Sequence, residues 1–250
     1  MILIQQRYTV SNPARQAELD HVREVNRAVA AFGDVIEIEG SAKRQTFADL
    51  FAVAIGRCAG KPVVIANSDI AFDDSIGDIL RVLVPGMLVA LTRWDDPTAP
   101  SMEGRIDPQS WRFYSQSQDT WIFIAGSLPD FRADFQLGMP RCENRLAYEA
   151  SAAGVVVIDP ALSVRSVHHH ATNVRSWKPG DYYRGPLLFP RLTTLDNPAP
   201  EAVVVSRRPR KLEQRVVLDG SAESFATQMS LRQAVRGCRI GLRSPFYWRP

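Results

Sequence analysis

Apolar runs alternate with amphipathic segments along the first half of the chain, the pattern of an α/β sheet rather than of a helical bundle or a sandwich. Met1 to Thr9 reads as a strand. Asn12 followed by Pro13 supplies an N-cap and a first-turn proline, and Leu19, Val22, Val25 and Val29 recur at helical spacing, so a helix is expected up to Gly33. Asp34 to Glu39 alternates apolar residues with acids as a second strand. Thr46 with Asp49 resembles a capping box, and Phe47, Leu50, Phe51, Ala54 and Ile55 form one stripe for a second helix that ends near Gly60. Pro62 to Ala66 is short and wholly apolar, which predicts a central, parallel strand buried on both faces. Ser75 to Val84 reads as a third helix closed by Pro85-Gly86, and Met87 to Thr92 as a fourth strand.

From Arg93 to Ser117 the pattern breaks into Trp, Asp, Pro, Ser and Gln, which predicts a long irregular connection of the kind that carries binding function. A strand is expected at Thr120 to Ile124, a helix at Asn144 to Ala153 stopped by Gly154, and strands at Val155 to Ile158 and Ser163 to Val167, running up to His168-His169-His170. Prolines 186, 190, 198, 200 and 209 punctuate the remainder of the chain, so Arg175 onward reads as a loop-rich extension with a last helix around Ser221 to Arg236. The expected organisation is an α/β domain over 1–177, with a mostly parallel central sheet flanked by helices, and a Pro-rich C-terminal extension over 178–250.

Composition narrows the class. In 250 residues, 30 Lys and Arg stand against 27 Asp and Glu, a net charge of +3, so no strong overall field argues for nucleic acid as a partner. Three cysteines, Cys58, Cys142 and Cys238, build neither a disulfide scaffold nor a four-thiolate zinc site, and a reducing cytoplasmic setting is expected. The opening residues lack a basic region ahead of an apolar run, and no long apolar stretch occurs, so a soluble, unprocessed chain is expected.

In a parallel α/β sheet, ligands bind beyond the carboxyl ends of the strands. That rule selects Asn67-Ser68-Asp69 after the third strand, Gln118-Asp119 before the strand at 120, and the triple histidine. Asn67-Ser68-Asp69 reads either as turn chemistry capping the next element or as a carboxylate that holds a divalent cation against a diphosphate. In an extended segment His168 and His170 point to one face and His169 to the other, so a His-x-His pair can address one ion; the alternative is a polar strand end. Glu143 starts a helix, where a carboxylate is favoured by the dipole, and can also serve as a general base, with Asp119 as the competing candidate. Gln118 and Trp121 beside Asp119 suit hydrogen bonding and stacking on a sugar.

Taken in order, these pieces resemble a nucleotide-diphospho-sugar glycosyltransferase of the GT-A fold, in which a Rossmann-like half ends in an Asp-x-Asp type motif, followed by an acid at a helix start and then a histidine. A narrower resemblance is to glycosyltransferase-like proteins with the pattern Asn-x-Asp-Ile, Leu-Thr-Arg-Trp-Asp, Ser-Gln-Asp-x-Trp-Ile-Phe, Leu-Gly-x-Pro-x-Cys-Asp-Asn and His-x-His. The corresponding segments here are Asn67 to Ile70, Leu91 to Asp95, Ser117 to Phe123, Leu137 to Asn144 and His168 to His170, within residues 1–177. Two positions depart from the pattern: Asn67 replaces the first Asp, and Glu143 stands one methylene longer than the pattern's Asp. The resemblance implies a GT-A sheet, Mn²⁺ or Mg²⁺ held by Asp69, His168 and His170, Glu143 as the base for inverting transfer to a glycan or glycoconjugate hydroxyl, Gln5, Arg7 and Asn67 facing the donor nucleotide, and Arg93 and Trp94 lining the sugar pocket.

Two other readings compete. A sugar nucleotidyltransferase needs a Gly-rich loop after the first strand, and Gln5 to Thr9 has no glycine. A non-catalytic carbohydrate-binding or assembly protein on the same fold needs no base. The basic cluster Arg207, Arg208, Arg210, Lys211 and Arg215 reads as a solvated surface or as a peripheral contact with anionic membrane or a polyanionic acceptor.

Overall fold

The capping signals of the sequence are realised in the backbone. A computed structural model of the chain describes residues 1–40, 44–95, 102–106, 113–115, 117–172, 177–178, 180–200, 202–205 and 215–218. Strand β1 (Ile2–Arg7) leads to helix α1 (Pro13–Ala28), whose N-cap Asn12 accepts from the Arg15 amide at 3.1 Å. The helix stops before Gly33, because Val29 is already extended and its amide turns back to the Asn26 carbonyl. Strand β2 (Asp34–Glu39) and helix α2 (Phe47–Cys58) come after it, the latter with a complete Thr46/Asp49 capping box. Strands β3 (Pro62–Ala66) and β4 (Ile70–Phe72) are next.

The third helical stretch is present as a 3-10 helix, Asp74–Arg81, which stops three residues short of Val84. Its buried apolar residues, Ile76 and Ile79, are three apart, and a three-residue turn brings such positions onto one line. Strand β5 (Met87–Thr92) is as expected, but the supposed irregular connection contains β6 (Trp94–Asp95), β7 (Met102–Ile106) and β8 (Phe113–Ser115). Polar composition hid the alternation of Met102, Gly104 and Ile106 with Glu103 and Arg105.

Strand β9 (Gln118–Ile124) begins two residues early, because Gln118 still pairs with Thr92. Helix α3 (Cys142–Ala152) is followed by β10 (Val156–Ile158) and β11 (Ser166–His168). Residues 163–165 are not strand: the amides of Ser163 and Val164 turn back to the Pro160 carbonyl at 2.9 and 3.1 Å. The stretch read as loop-rich carries β12 (Leu187–Pro190), β13 (Ala202–Val205) and β14 (Arg215–Leu218). β12 pairs with β13, and β14 adds to β7 and β8 in a separate three-stranded sheet. The helix expected at Ser221 to Arg236 lies outside the described residues, as do Arg207, Arg208, Arg210 and Lys211 of the basic cluster. Among the described residues no helix is long and apolar enough to cross a membrane.

The protein is mixed α/β. Its central sheet has six strands in the order β10-β5-β9-β3-β1-β2. Only β9 runs against the rest, so β3 is central as expected, parallel to β1 but antiparallel to β9. Alternation along β1 sends Ile2 and Ile4 to the layer containing α2 and α3, and Leu3 to the layer containing the 3-10 helix and the small sheet β4-β11-β6. Both faces are thus covered. β12 packs on the first layer, where Leu188 joins the core and its carbonyl accepts from Asn144 Nδ2 at 3.2 Å.

One buried acid joins the ends of β5 and β10. Asp159 is fully buried; its Oδ2 lies 2.5 Å from Thr92 Oγ1, and its Oδ1 accepts from the amides of Thr92 at 3.1 Å and Ala161 at 3.3 Å. Burial pushes its carboxyl up to about 7, a rise that these hydrogen bonds only partly offset. The unfolded chain releases this proton near pH 4, about the ordinary aspartate value. The folded protein therefore holds more protons between pH 4 and 7, and the contribution to stability, full below pH 4, is lost as pH rises through 7. Asp159→Asn is expected to remove this loss, so urea unfolding across that range should show wild type declining relative to the variant. Parallel stability profiles would contradict the assignment.

Candidate metal centre and its acid network

The turn after β3 sends three side chains in three directions. The Asn67 amide nitrogen Nδ2 donates to Asp119 Oδ1 at 2.7 Å, Ser68 Oγ donates to the Gln6 carbonyl at 2.8 Å, and Asp69 turns inward. An amide pair sets this course. Gln5 Nε2 donates to the carbonyls of Asn67 at 2.9 Å and Ile70 at 3.3 Å, and Asn26 Nδ2 of α1 donates to Gln5 Oε1 at 3.0 Å and to the Ile70 carbonyl at 2.8 Å. Buried carbonyls in a turn need such donors, and two buried amides supply them.

The small sheet completes the group. In β11 His168 pairs with Ile70 of β4 on one side and Asp95 of β6 on the other, which brings the histidine beside the residue that succeeds Asp69 in sequence. The histidines therefore do not extend a strand of the central sheet. His168 Nε2 lies 3.3 Å and His170 Nδ1 3.5 Å from the same Asp69 Oδ2. His169 faces away, its ring 5.3 Å from that of His21, as extended alternation predicts. One ligand atom from each of Asp69, His168 and His170 can be chosen so that all lie within 4.8 Å of one another, close enough to share a metal ion.

A cationic side chain already meets this carboxylate. Arg15, in the first turn of α1, places Nη2 2.5 Å from Asp69 Oδ2, while its Nη1 donates to Glu18 Oε2 at 2.9 Å and to the His169 carbonyl at 2.8 Å. Burial works against ionisation of Asp69, but hydrogen bonds from His168 and His170 and the charges of His168 and Arg15 hold the carboxyl well below its ordinary value. Burial likewise pulls the His168 imidazole down, yet its bonds to Asp69 and Asp95 outweigh that and raise it to about 9.

From His168 the contacts continue without a break. Its Nδ1 lies 3.1 Å from Asp95 Oδ1, which also accepts from Arg93 Nε at 2.9 Å; Arg93 Nη1 donates to Asp119 Oδ2 at 2.6 Å. Burial opposes the charge on Arg93, but Asp119 and Asp95 raise its pKa further above the ordinary range. Asp119 owes its position to a β-bulge. The register between β5 and β9 slips after Leu91, so Gln118 and Thr120 pair with Thr92 and Leu91 and Asp119 is the extra residue.

Glu143 stands in the first turn of α3, and burial followed by the negative charge of Asp119 pushes its carboxyl up to about 7. The turn before it holds Arg141 in the left-handed region, at φ 71°, the one non-glycine residue so placed among the described residues. The neighbouring Cys142 thiol donates to Glu143 Oε2 at 3.2 Å; burial and the Glu143 charge push that thiol far up, which leaves it inert as a nucleophile.

The structure thus brings Asn67, Asp69, Arg93, Asp119, His168 and His170 into one contact network, with Glu143 coupled to it through Asp119. Four expected ligand contacts are buried in the scaffold instead, and a fifth, Arg7, keeps its exposed place. Gln5 is spent on the turn rather than on a nucleotide. Trp94 is buried among apolar side chains with its indole nitrogen donating to the Ala161 carbonyl at 3.0 Å, so it does not line a pocket. Trp121 is wholly buried and meets the Phe47 ring edge-on at 4.4 Å, and Gln118 is wholly buried with Oε1 accepting from Asn144 Nδ2 at 2.7 Å. Arg7 is half exposed at the end of β1, 3.9 Å from Glu37 and 3.7 Å from Glu39. Sequence reasoning missed Arg15, Glu18 and Asp95. Asp95 closes the Leu91 to Asp95 segment, but Arg15 carries no signal beyond its place in a helix start.

Trp94→Phe is expected to lose the bond to Ala161, costing about 1 to 2 kcal/mol of stability in urea unfolding, the scale of a buried hydrogen bond left unmade. Its affinity for a nucleotide sugar should stay unchanged. Full stability combined with weakened sugar binding would restore Trp94 to the pocket. Comparison of the sequence with protein-family models and with curated proteins finds no match, so the chemistry of this site rests on its geometry.

Proposed function

We propose that the protein is a glycosyltransferase of the GT-A, Rossmann-like kind, which moves a sugar from a nucleotide-diphosphate donor to a hydroxyl of a glycan or glycoconjugate. The observation that carries this reading is the unbroken path Asp69–His168–Asp95–Arg93–Asp119, which joins a candidate cation site to the acid that raises Glu143. The path runs along the carboxyl ends of β3 and β5 and the start of the antiparallel β9, the edge where ligands of such sheets gather.

The donor set fits a divalent ion. Asp69, His168 and His170 offer one oxygen and two nitrogens, a mixed shell that favours Mn²⁺ over Mg²⁺, which prefers oxygen alone. Around it the carboxylates of Glu18, Asp69, Asp95 and Asp119 face the guanidiniums of Arg15 and Arg93 and the His168 imidazolium, and once His168 gives up its proton to act as a ligand, four carboxylates face two guanidiniums and the ion supplies the missing positive charge. When bound, the ion supplies charge neutralisation for a departing diphosphate. The remaining work falls to the chain. Asn67 and Arg93 fix Asp119; burial and then the charge of Asp119 raise Glu143 to about 7, where it accepts the proton of an acceptor hydroxyl at neutral pH while the sugar inverts.

A second reading has one observation in its favour. Arg15 already neutralises Asp69 at 2.5 Å, which suits a carbohydrate-binding protein that needs neither metal nor base.

Release of nucleoside diphosphate from a panel of UDP, GDP and CDP sugars, with and without Mn²⁺, separates the two. The transferase reading expects Mn²⁺-dependent release that Glu143→Gln lowers by about 10²- to 10⁴-fold, the usual contribution of a general base, with nucleotide affinity nearly unchanged. Full turnover in Glu143→Gln would pass the base role to Asp119. Glycan binding without any release, metal effect or nucleotide effect would establish the second reading instead.

A further inference from the structure

The geometry points to Asp95 as the positioning residue that fixes the His168 ring for the cation, an inference that rests on the metal reading of Asp69, His168 and His170. An imidazole can turn about its ring bond and present either nitrogen, and a ligand histidine is useful only when one nitrogen is held toward the ion. In this protein the two histidines reach Asp69 by different atoms, His168 through Nε2 and His170 through Nδ1. For His168 the atom left over, Nδ1, is 3.1 Å from Asp95 Oδ1.

The backbone makes that contact a matter of register. β6 is two residues long and lies parallel to β11, with Trp94 opposite Val167 and Asp95 opposite His168. Trp94 is buried in the core and anchored to the Ala161 carbonyl, and alternation along the strand turns the next side chain, Asp95, the other way, toward His168. The carboxylate is itself held, because its Oδ1 accepts from Arg93 Nε at 2.9 Å and Arg93 is anchored in turn on Asp119. Asp95 thereby keeps the Nδ1 proton of His168 engaged and leaves Nε2 directed at Asp69. Its role is to orient a ligand, and it touches neither substrate nor ion.

Mn²⁺ affinity, read by electron paramagnetic resonance on the full chain, tests this without any turnover. Asp95→Ala is expected to weaken Mn²⁺ binding by about 10- to 100-fold, the range for loss of a partner that orients a metal ligand. Asp95→Asn keeps an oxygen that accepts the Nδ1 proton while losing the negative charge, so it should recover most of the affinity; melting curves should show both variants fully folded at the temperature of the binding measurement. Wild-type affinity in Asp95→Ala would overturn the inference, and so would an Asn variant as weak as Ala, because charge and not orientation would then be at work. If wild type itself binds no Mn²⁺, the metal reading fails and this inference with it, a result distinct from failure of Asp95 alone.

Discussion

A single carboxylate oxygen, Oδ2 of Asp69, is where three side chains from two distant segments of the chain meet. Arg15 arrives from the first turn of α1, His168 from the short strand β11, and His170 from the segment beyond it. An ionised carboxylate this deeply buried is costly unless it is matched by donors and positive charge, so these partners are a condition of the fold as well as of any chemistry at the site. The backbone repeats the arrangement, since the His169 amide donates to the Asp69 carbonyl at 2.8 Å. The Gln5–Asn26 amide pair beneath the turn ensures that Asp69, and not Ser68, faces the histidines.

Most of the frame was legible because its signals are local. Asn12-Pro13 and the Thr46/Asp49 box start helices where expected, and the apolar runs at Pro62 to Ala66 and Met87 to Thr92 became strands with those bounds. The illegible part depends on pairing across the chain. Whether β9 runs with or against β3 is a tertiary decision, and nothing in Gln118 to Ile124 encodes it. The small sheet β4-β11-β6 was invisible for the same reason, since its strands are two or three residues long and acquire meaning only beside one another.

The candidate site divides along the same line. Residue type and alternation were enough to pair His168 with His170 and to single out Asp69, Asp119 and Glu143. They could not tell which polar or aromatic neighbours face a ligand and which hold the scaffold. Gln5, Gln118, Trp94 and Trp121 all carry groups suited to a nucleotide or a sugar, yet each is buried. Gln5, Gln118 and Trp94 spend hydrogen bonds on the protein itself, and Trp121 packs edge-on against Phe47. Arg15 is the converse case, an ordinary residue by its helix position that becomes the nearest cation to Asp69 only once α1 has packed beside β4.

A crystal structure determined with Mn²⁺ and a nucleoside diphosphate examines the meeting of these groups directly, because manganese marks itself by anomalous scattering. The account requires one manganese peak bonded to Asp69, His168 and His170, with the diphosphate on its open side and Glu143 facing the same cleft. Asp69 still paired with Arg15, with manganese absent from the histidines at saturating concentration, would contradict it.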